Sequence, residues 1–398
     1  MIISKKVRLL PTKEQEQKMW QSVGTARFIY NWTLNRQLAN YQNGGKFIQD
    51  GELRKELTQL KKSSLSWLNE VSNNVTKQAI KDCCNAYKNF FKIKDKHFSK
   101  ETIEKAKRQN KQLTVYDLEG HPRFKSKKKS RNSFYNDPVK LKVKENKTVL
   151  LEKIGWIKTS EQLPICKYMN PRITYDNKYW YISIGIEVNI KKQELTDVSL
   201  GIDFGLKDLA ICSNGKVFKN INKTKMVKKL EKRLKRKQKQ CSKKYELNKT
   251  MKGGSCQFNK TKNIYKIEDA IKLLHRRLNN IRNNYLHQVT NSIVKTKPYK
   301  IVIEDLNVKG MMKNRHLSKA IQKQCFYKFR QYITYKSELN GIELVVANRY
   351  FPSSKTCSEC GCIKPELKLK DRIYKCSHCG AIIDRDLNAA INLSMYQN

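Results

Sequence analysis

Acidic residues are scarce in this chain, and long apolar runs are missing from it. Only 35 of its 398 residues are Asp or Glu, against 83 Lys and Arg, which leaves a formal net charge of +48. An imbalance of that size excludes an ordinary neutral solvated surface and calls for a polyanionic partner, nucleic acid before any other. No apolar stretch approaches the roughly 18 residues that span a bilayer, and the opening MIISKKVRLLPTK lacks the core of a secretory signal. The expectation is therefore a soluble, intracellular protein with no membrane partner. Hydrophobic residues make up 39% of the chain, enough to fold, and the length favours roughly two to four domains.

The chain has twelve cysteines, but its length and Lys-rich composition argue against a secreted disulfide framework. Eight of them (Cys83, Cys84, Cys166, Cys212, Cys241, Cys256, Cys325 and Cys362) have no metal-like spacing and read as reduced thiols, packed as small hydrophobes or left at the surface. The other four, Cys357, Cys360, Cys376 and Cys379, form C-x2-C-x15-C-x2-C. Each pair offers two thiolates from one tight turn, and Gly361 and Gly380 supply the backbone freedom such turns need. Four protein ligands close a tetrahedral Zn2+ site, so the ion is structural. His378 is a rival ligand by position, although four thiolates already satisfy the metal, and Cys362 is left over.

Hydrophobic periodicity divides the rest. ISKKVRLLPT alternates like a strand and stops at Pro11; from Lys13 to about Gln112 the pattern is helical, with Val75 to Phe91 carrying apolar residues at steps of three and four. Between about 113 and 195, runs such as KLKVKENKTVLLEKIGWIKT and RITYDNKYWYISIGIEV read as a small β-barrel or sheet to which the opening strand belongs. Within it, HPRFKSKKKSRNSFY (121–135) interleaves basic residues with Phe124, Phe134 and Tyr135; backbone contact with stacking on bases is favoured over an exposed loop whose aromatics turn inward. From Val198 onward the pattern is α/β, with VSLGIDFG, LAICSNG, KIVIEDL and IELVVAN as strands and residues 266–295 as an amphipathic helix. MVKKLEKRLKRKQKQCSKK (226–244) repeats Lys and Arg at helical spacing, which suits a phosphate backbone better than a merely solvated face.

Against this basic background acids stand out at three places. Asp203 ends the apolar strand of GIDFG, Glu304 ends that of KIVIEDL, and Asp384 and Asp386 both precede the helix of DLNAAINL. One such acid alone is a strand end or a helix cap. Three in a chain poor in acids suggest carboxylates gathered to bind Mg2+, with two ions roughly 4 Å apart clamping the attacking and leaving oxygens of a phosphodiester. Spacing alone does not choose between Asp384 and Asp386.

GIDFG, IVIEDL and DRDLNAAIN, the last two separated by the ribbon of CSECG and CSHCG and preceded by FPSSKTCS, resemble the three RuvC-type motifs of the TnpB family of transposon-encoded RNA-guided nucleases, related to compact type V CRISPR effectors and Fanzor proteins. The resemblance runs over essentially the whole chain; its motifs are specific in the second half and weak in the first.

It implies an α/β multidomain protein. An RNase H-like (RuvC) nuclease domain (196–352 and 382–398) would hold an inserted four-cysteine zinc ribbon (353–381), beside a wedge-like β-barrel domain (1–12 and 113–195) interrupted by a helical recognition domain (13–112). The family's D-x-N-A-A pattern makes Asp203, Glu304 and Asp386 the catalytic, Mg2+-binding acids and leaves Asp384 as an N-cap. Asp208 and Asp305 fall outside the motif positions, and strand alternation sends Asp305 to the face opposite Glu304. The implied partners are a guide RNA that pairs with one strand of double-stranded DNA, and that DNA beside a short motif read by protein, with one protein chain per RNA. Candidate nucleic-acid contacts are Lys77 and Gln78, Arg123, Phe124 and Lys125, and Lys232, Arg233, Lys235 and Arg236. Such a protein would act in a prokaryotic cytoplasm, at the nucleoid, or in a nucleus if eukaryotic. The contrasting reading is a guide-dependent DNA-binding repressor that cuts nothing; lost acids would mark it, and all three are present. A ribosomal-type RNA-binding protein is the remaining alternative, disfavoured by the acids that end apolar strands.

Overall fold

A computed structural model of the chain describes residues 1–127, 130–190, 193–252, 255–368 and 371–397, with side chains described outside 251–257. Lys128 and Lys129, within the basic aromatic segment singled out above, and the side chain of Cys256 lie outside the described residues. The chain forms two compact units, Ile2–Val188 and Asn189–Asn398, with Met1 belonging to the second.

The first unit begins with β1 (Ile2–Leu10) and four helices, α1 (Lys13–Gln42), α2 (Asp50–Leu60), α3 (Asn73–Phe91) and α4 (Lys100–Arg108). Six strands follow: β2 (Ser133–Tyr135), β3 (Lys142–Lys144), β4 (Thr148–Leu151), β5 (Gly155–Thr159), β6 (Tyr168–Tyr175) and β7 (Trp180–Glu187). They make one sheet in the order β2-β6-β7-β1-β5-β4-β3, antiparallel throughout. The opening strand is its centre, paired with β7 from Ile2 opposite Glu187 to Leu9 opposite Trp180. Period-two alternation does the sorting: Trp180, Ile182, Ile184 and Ile186 of β7 and Val7 and Leu9 of β1 enter the core with Met19, Val23 and Val75 from the helices. Helix α1 starts where Thr12 and Gln15 form a reciprocal capping box.

The second unit holds β8 (Thr196–Phe204), β9 (Asp208–Cys212), β10 (Val217–Lys219), α5 (Lys225–Leu247), β11 (Lys249–Lys252), β12 (Ser255–Phe258), α6 (Lys262–Val294) and β13 (Pro298–Glu304). After these come α7 (Val308–Met311), α8 (Ser318–Gln324), α9 (Phe326–Leu339), β14 (Glu343–Ala347), β15 (Ile373–Lys375), β16 (Ile382–Asp384) and α10 (Arg385–Ser394). A five-stranded sheet runs β10-β9-β8-β13-β14, with β8, β13 and β14 parallel and β9 and β10 antiparallel to their neighbours. The near-continuous apolar runs of its central strands fit a sheet covered on both faces. On one face Leu200, Ile202, Ile301 and Ile303 pack with Leu286, Val289 and Ile293 of α6 and Phe329 and Ile333 of α9. On the other, Val302 and Val345 meet Leu393 of α10. Helices α5 and α6 form a hairpin, closed by Val227, Leu230 and Leu234 against Leu274 and Leu278. Among the described residues, no helix is long and apolar enough to cross a membrane.

Candidate active site and metal knuckle

Strand parity and register bring two of the three acids together. In β8, Leu200 and Ile202 point into the core shared with α6 and α9, so Gly201 and Asp203 face α10. In β13, Ile301 and Ile303 take the core side, while Val302 packs toward α10 and Glu304 shares its face. The parallel register sets Val302 beside Gly201 and Ile303 beside Ile202, which puts Glu304 level with Asp203 one residue on. Gly201 is what lets α10 lie this close: a Cβ there would fall 2.0 Å from the Ala390 carbonyl oxygen. Asp386 arrives in the first turn of α10, whose N-cap is Asp384; that carboxylate accepts from the N–H groups of Asp386 (3.0 Å) and Leu387 (3.1 Å).

The three carboxyls feel one another. Burial, then the charges of Glu304 and Asp386, push the Asp203 carboxyl well above the usual carboxylate range, and Asp203 and Glu304 are hydrogen-bonded. Glu304 is also raised, chiefly by burial; its hydrogen bonds to Asp203 and Ser353 oppose the rise and the Asp386 charge adds to it. Asp386 is raised by burial and then by Asp384, against the pull of Arg372, Arg385 and Lys207. Arg372 Nη1 lies 4.0 Å from Asp386 Oδ2. The remaining acids behave differently. Asp208 pairs with Lys219 at 3.5 Å, and Asp305 pairs with Arg330 at 3.1 Å and Arg349 at 2.5 Å, which hold its carboxyl low. Asp305 follows the last residue of β13, and its carboxyl is taken up by those two arginines.

The cysteines converge more tightly. The Sγ atoms of Cys357, Cys360, Cys376 and Cys379 all lie within 4.8 Å of one another, with 3.6 Å separating Cys357 from Cys379 and Cys360 from Cys376. A tetrahedral ion with Zn–S bonds of roughly 2.3 Å needs sulfurs about 3.8 Å apart, so the set fits zinc. Gly361 and Gly380 both adopt φ +75°, the left-handed backbone expected after each pair. Cys360, Cys362 and His378 also come within 4.8 Å of one another, so the rival ligand and the spare thiol both border the site. Backbone N–H groups of Cys379 and His378 lower the Cys376 thiol to about 6. By the same spacing measure, the three carboxylates are more loosely set than the thiols: among the described residues, only sulfur-containing groups meet it. Cys83, Cys84, Cys166, Cys212, Cys241, Cys325 and Cys362 are free thiols.

The basic candidates are distributed unevenly. Lys232, Arg233, Lys235 and Arg236 all lie exposed along α5. Lys77 and Arg123 are exposed, and Phe124 keeps 56% of its surface open. Gln78 instead donates to Asp82 at 2.8 Å, and Asp82 is gripped by both Arg172 amino groups at 2.9 Å. Lys125 sits over the Tyr30 ring at 3.5 Å, and burial lowers its ammonium. Phe134, grouped with the stacking aromatics on sequence, is only 3% exposed and belongs to the sheet core. Sequence reasoning missed Ser353, Asn388 and Asn392, which are buried polar residues bonded around Glu304 and the root of the ribbon. Asn388 and Asn392 carried a signal: polar residues at i and i+4 on the apolar stripe of a helix must find partners.

Three family models match the chain: "Helix-turn-helix domain" over residues 1–46, "Probable transposase" over 181–315, and "Cas12f1-like, TNB domain" over 326–393. In the first of these stretches the structure has β1 followed by one continuous helix, α1. Two full-length relatives bear the name "Putative RNA-guided DNA endonuclease". One, from Streptomyces pristinaespiralis, is 28% identical over 393 residues, covering 98% of this chain and 87% of its own. The other, InsQ of Escherichia coli K12, is 29% identical over 407 residues, covering 98% and 90%. A "TnpB-like protein" of Acanthamoeba polyphaga mimivirus is 36% identical over 138 residues, 32% of this chain and 25% of its own. The fold is similar to that in "Structure of the mini-RNA-guided endonuclease CRISPR-Cas_phi3", at 10% identity and a TM-score of 0.51 over 99% of this chain and 92% of that one.

Proposed function

We propose that the chain is a member of the TnpB family, which its relatives resemble in name, and a transposon-encoded, RNA-guided endonuclease that cuts double-stranded DNA beside a short transposon-associated motif through a single RuvC-type site. The observation that carries this reading is the meeting of Asp203, Glu304 and Asp386, drawn from β8, β13 and α10, in one half-buried cluster where Glu304 and Asp386 raise the proton affinity of Asp203 and Asp386 raises that of Glu304. A chain with 83 basic residues has abundant cations to spend on its acids. Among the described residues only Asp386 of the three has an ion pair, with Arg372 at 4.0 Å; that Asp203 and Glu304 bond each other instead of taking a Lys or Arg argues that the neutralising charge comes from outside the protein.

Oxygen donors of this kind suit Mg2+, and two such ions held by them could clamp the attacking and leaving oxygens of a phosphodiester. Bound there, Mg2+ would supply an activated water and stabilise charge on the phosphodiester. The protein's part is to hold the carboxylates in place. Asp203 and Glu304 must give up the proton their hydrogen bond shares, and Asp384 fixes the turn that carries Asp386. The exposed basic face of α5, with Lys232, Arg233, Lys235 and Arg236, fits the phosphate backbone of guide RNA or heteroduplex, so sequence is read by base pairing. Lys77, Arg123 and Phe124 are surface candidates for DNA contact; Gln78 and Lys125 would first have to leave Asp82 and Tyr30. The four thiolates would hold a structural zinc. We assign the nuclease domain to 196–352 and 382–398, with an RNase H-like fold, the zinc ribbon to 353–381, a wedge-like barrel to 1–12 and 113–195, and a recognition domain to 13–112, acting as one chain per RNA.

A guide-dependent repressor would need no such acids. The test is cleavage of a plasmid bearing a target, with guide RNA and Mg2+. The native chain should cut, and Asp203→Ala should cut at least about a thousandfold more slowly. Target binding without cutting by both chains would favour the repressor.

A further inference from the structure

Glu304 ends its strand with a long side chain, so β13 alone does not fix where its carboxylate points. Something else aims it. Ser353, 5% exposed and 49 residues further along, donates its hydroxyl to Glu304 Oε1 at 3.2 Å. Ser353 is itself pinned from α10: its carbonyl accepts from Asn392 Nδ2 at 2.7 Å, and the same amide reaches the Thr356 carbonyl at 2.7 Å. One turn earlier, Asn388 Nδ2 also donates to Thr356 O (2.7 Å), while its Oδ1 accepts the Ser358 N–H (2.9 Å). Both asparagines are almost fully buried. Residues 353–358 thus run from the hydroxyl that touches Glu304 to the first zinc-type cysteine, clamped to the helix that carries Asp386. Beside them lies a cavity of about 180 Å³ lined by Glu304, Asp305, Asn307, Asn348, Arg349 and Ser353 among others.

From this geometry we propose that Ser353 is a positioning residue for the cation site, orienting the Glu304 carboxylate for metal binding, and that Asn392 holds Ser353 in register with the Asp386 helix. The inference rests on the reading of Asp203, Glu304 and Asp386 as cation ligands. Amides that only satisfied buried carbonyls would need no hydroxyl aimed at a carboxylate. Outer partners of this kind commonly set metal affinity by 10- to 100-fold.

The experiment is Mn2+ binding to the full zinc-loaded chain, read from the paramagnetic resonance of free Mn2+, with zinc content measured on the same samples. Ser353→Ala should weaken Mn2+ binding roughly tenfold or more while keeping its zinc, and Ser353→Thr, which retains the hydroxyl, should recover most of the loss. If Ser353→Ala binds Mn2+ within about twofold of the native chain while Asp203→Asn loses it, the positioning role is wrong and the carboxylate site stands. If Asp203→Asn also binds normally, the carboxylate site falls and takes this inference with it. Loss of zinc from Ser353→Ala would make the residue a structural support and overturn the proposal.

Discussion

The two metal-type clusters of the second unit are built on opposite electrostatic plans. In the knuckle, four thiols lie close enough to share one ion. N–H groups of the surrounding turn pull Cys376 down to about 6, while Cys379, against the pull of the Ala381 N–H, is pushed up to about 12 by its hydrogen bond to Cys360 and by burial. One sulfur thus gives up its proton readily and its neighbour keeps one until a metal displaces it. In the acid cluster burial pushes all three carboxyls upward, the charge of Asp386 adds to the rise of Asp203 and Glu304 and that of Asp384 to the rise of Asp386, and Asp203 and Glu304 bond to each other. A set whose ion is part of the fold can be drawn tight. On the proposed reading the carboxylate set admits cations, water and a phosphodiester, and bound cations would relieve the crowding of its like charges.

Removing ligands from each cluster should therefore move stability in opposite directions. Cys376→Ser should have the largest effect, because structural zinc sites supply on the order of 10 kcal/mol of binding free energy that is also folding energy. Zinc content should fall from one ion per chain to near none, thermal unfolding should begin earlier, and cleavage should fail because β16 runs directly into α10. Zinc retained at full stoichiometry would count against the four-thiolate site.

Asp203→Asn should do the reverse to stability while still abolishing cleavage. Relieving a buried, crowded carboxylate should stabilise the metal-free chain by about 0.5–2 kcal/mol. The sign with pH follows from linkage. A carboxyl whose folded pKa is raised holds its proton in the folded state after the unfolded chain has lost it, so the native chain loses stability as pH climbs from about 4 through the elevated folded value. Melting curves without divalent ions should slope downward over that window in the native chain and less so in the variant. Equal slopes would mean that Asp203 is not crowded in the way described.

Much of this contrast was legible in the sequence, because each cluster is announced locally. The thiols come as two CxxC pairs, and each leading acid closes an apolar run whose parity decides its face; Asp305, just past the end of β13, is set apart from Glu304 by its pairing with Arg330 and Arg349, which no local pattern announces. What stayed hidden depends on partners distant in the chain. Ser353 reaches 49 residues back to Glu304, and Asn392 reaches 39 residues back to Ser353. Gln78 reads as a base-contacting side chain, but in the fold it donates to Asp82, which Arg172 grips from 90 residues away. Phe134 alternates with basic residues yet turns into the core, since a three-residue strand lends too little periodicity to choose its face.

Asp305→Asn tests the separation of adjacent acids directly. Its bonds to Arg330 and Arg349 are part-exposed ion pairs, so the change should cost about 1 kcal/mol or less and leave cleavage within about threefold of native. Glu304→Gln in the same assay should abolish it. If the two variants lose comparable activity, the separation of the two acids is wrong.

The smallest effect belongs to the pair that spacing alone left unresolved. Asp384 spends one carboxylate oxygen on two N–H groups at the start of α10, and Asp386 turns toward Asp203 and Glu304. Asparagine caps a helix about as well as aspartate, whereas alanine does not. Asp384→Asn should therefore melt within a few tenths of a kcal/mol of the native chain, while Asp384→Ala should lose about 1 kcal/mol. Removing the Asp384 charge also eases the one that raises Asp386, so Asp384→Asn should keep or slightly improve binding of Mn2+ and cleavage. Asp386→Asn, with its cap intact, should remove both. A cleavage defect in Asp384→Asn as deep as that of Asp386→Asn would make the first aspartate a cation ligand and the cap incidental.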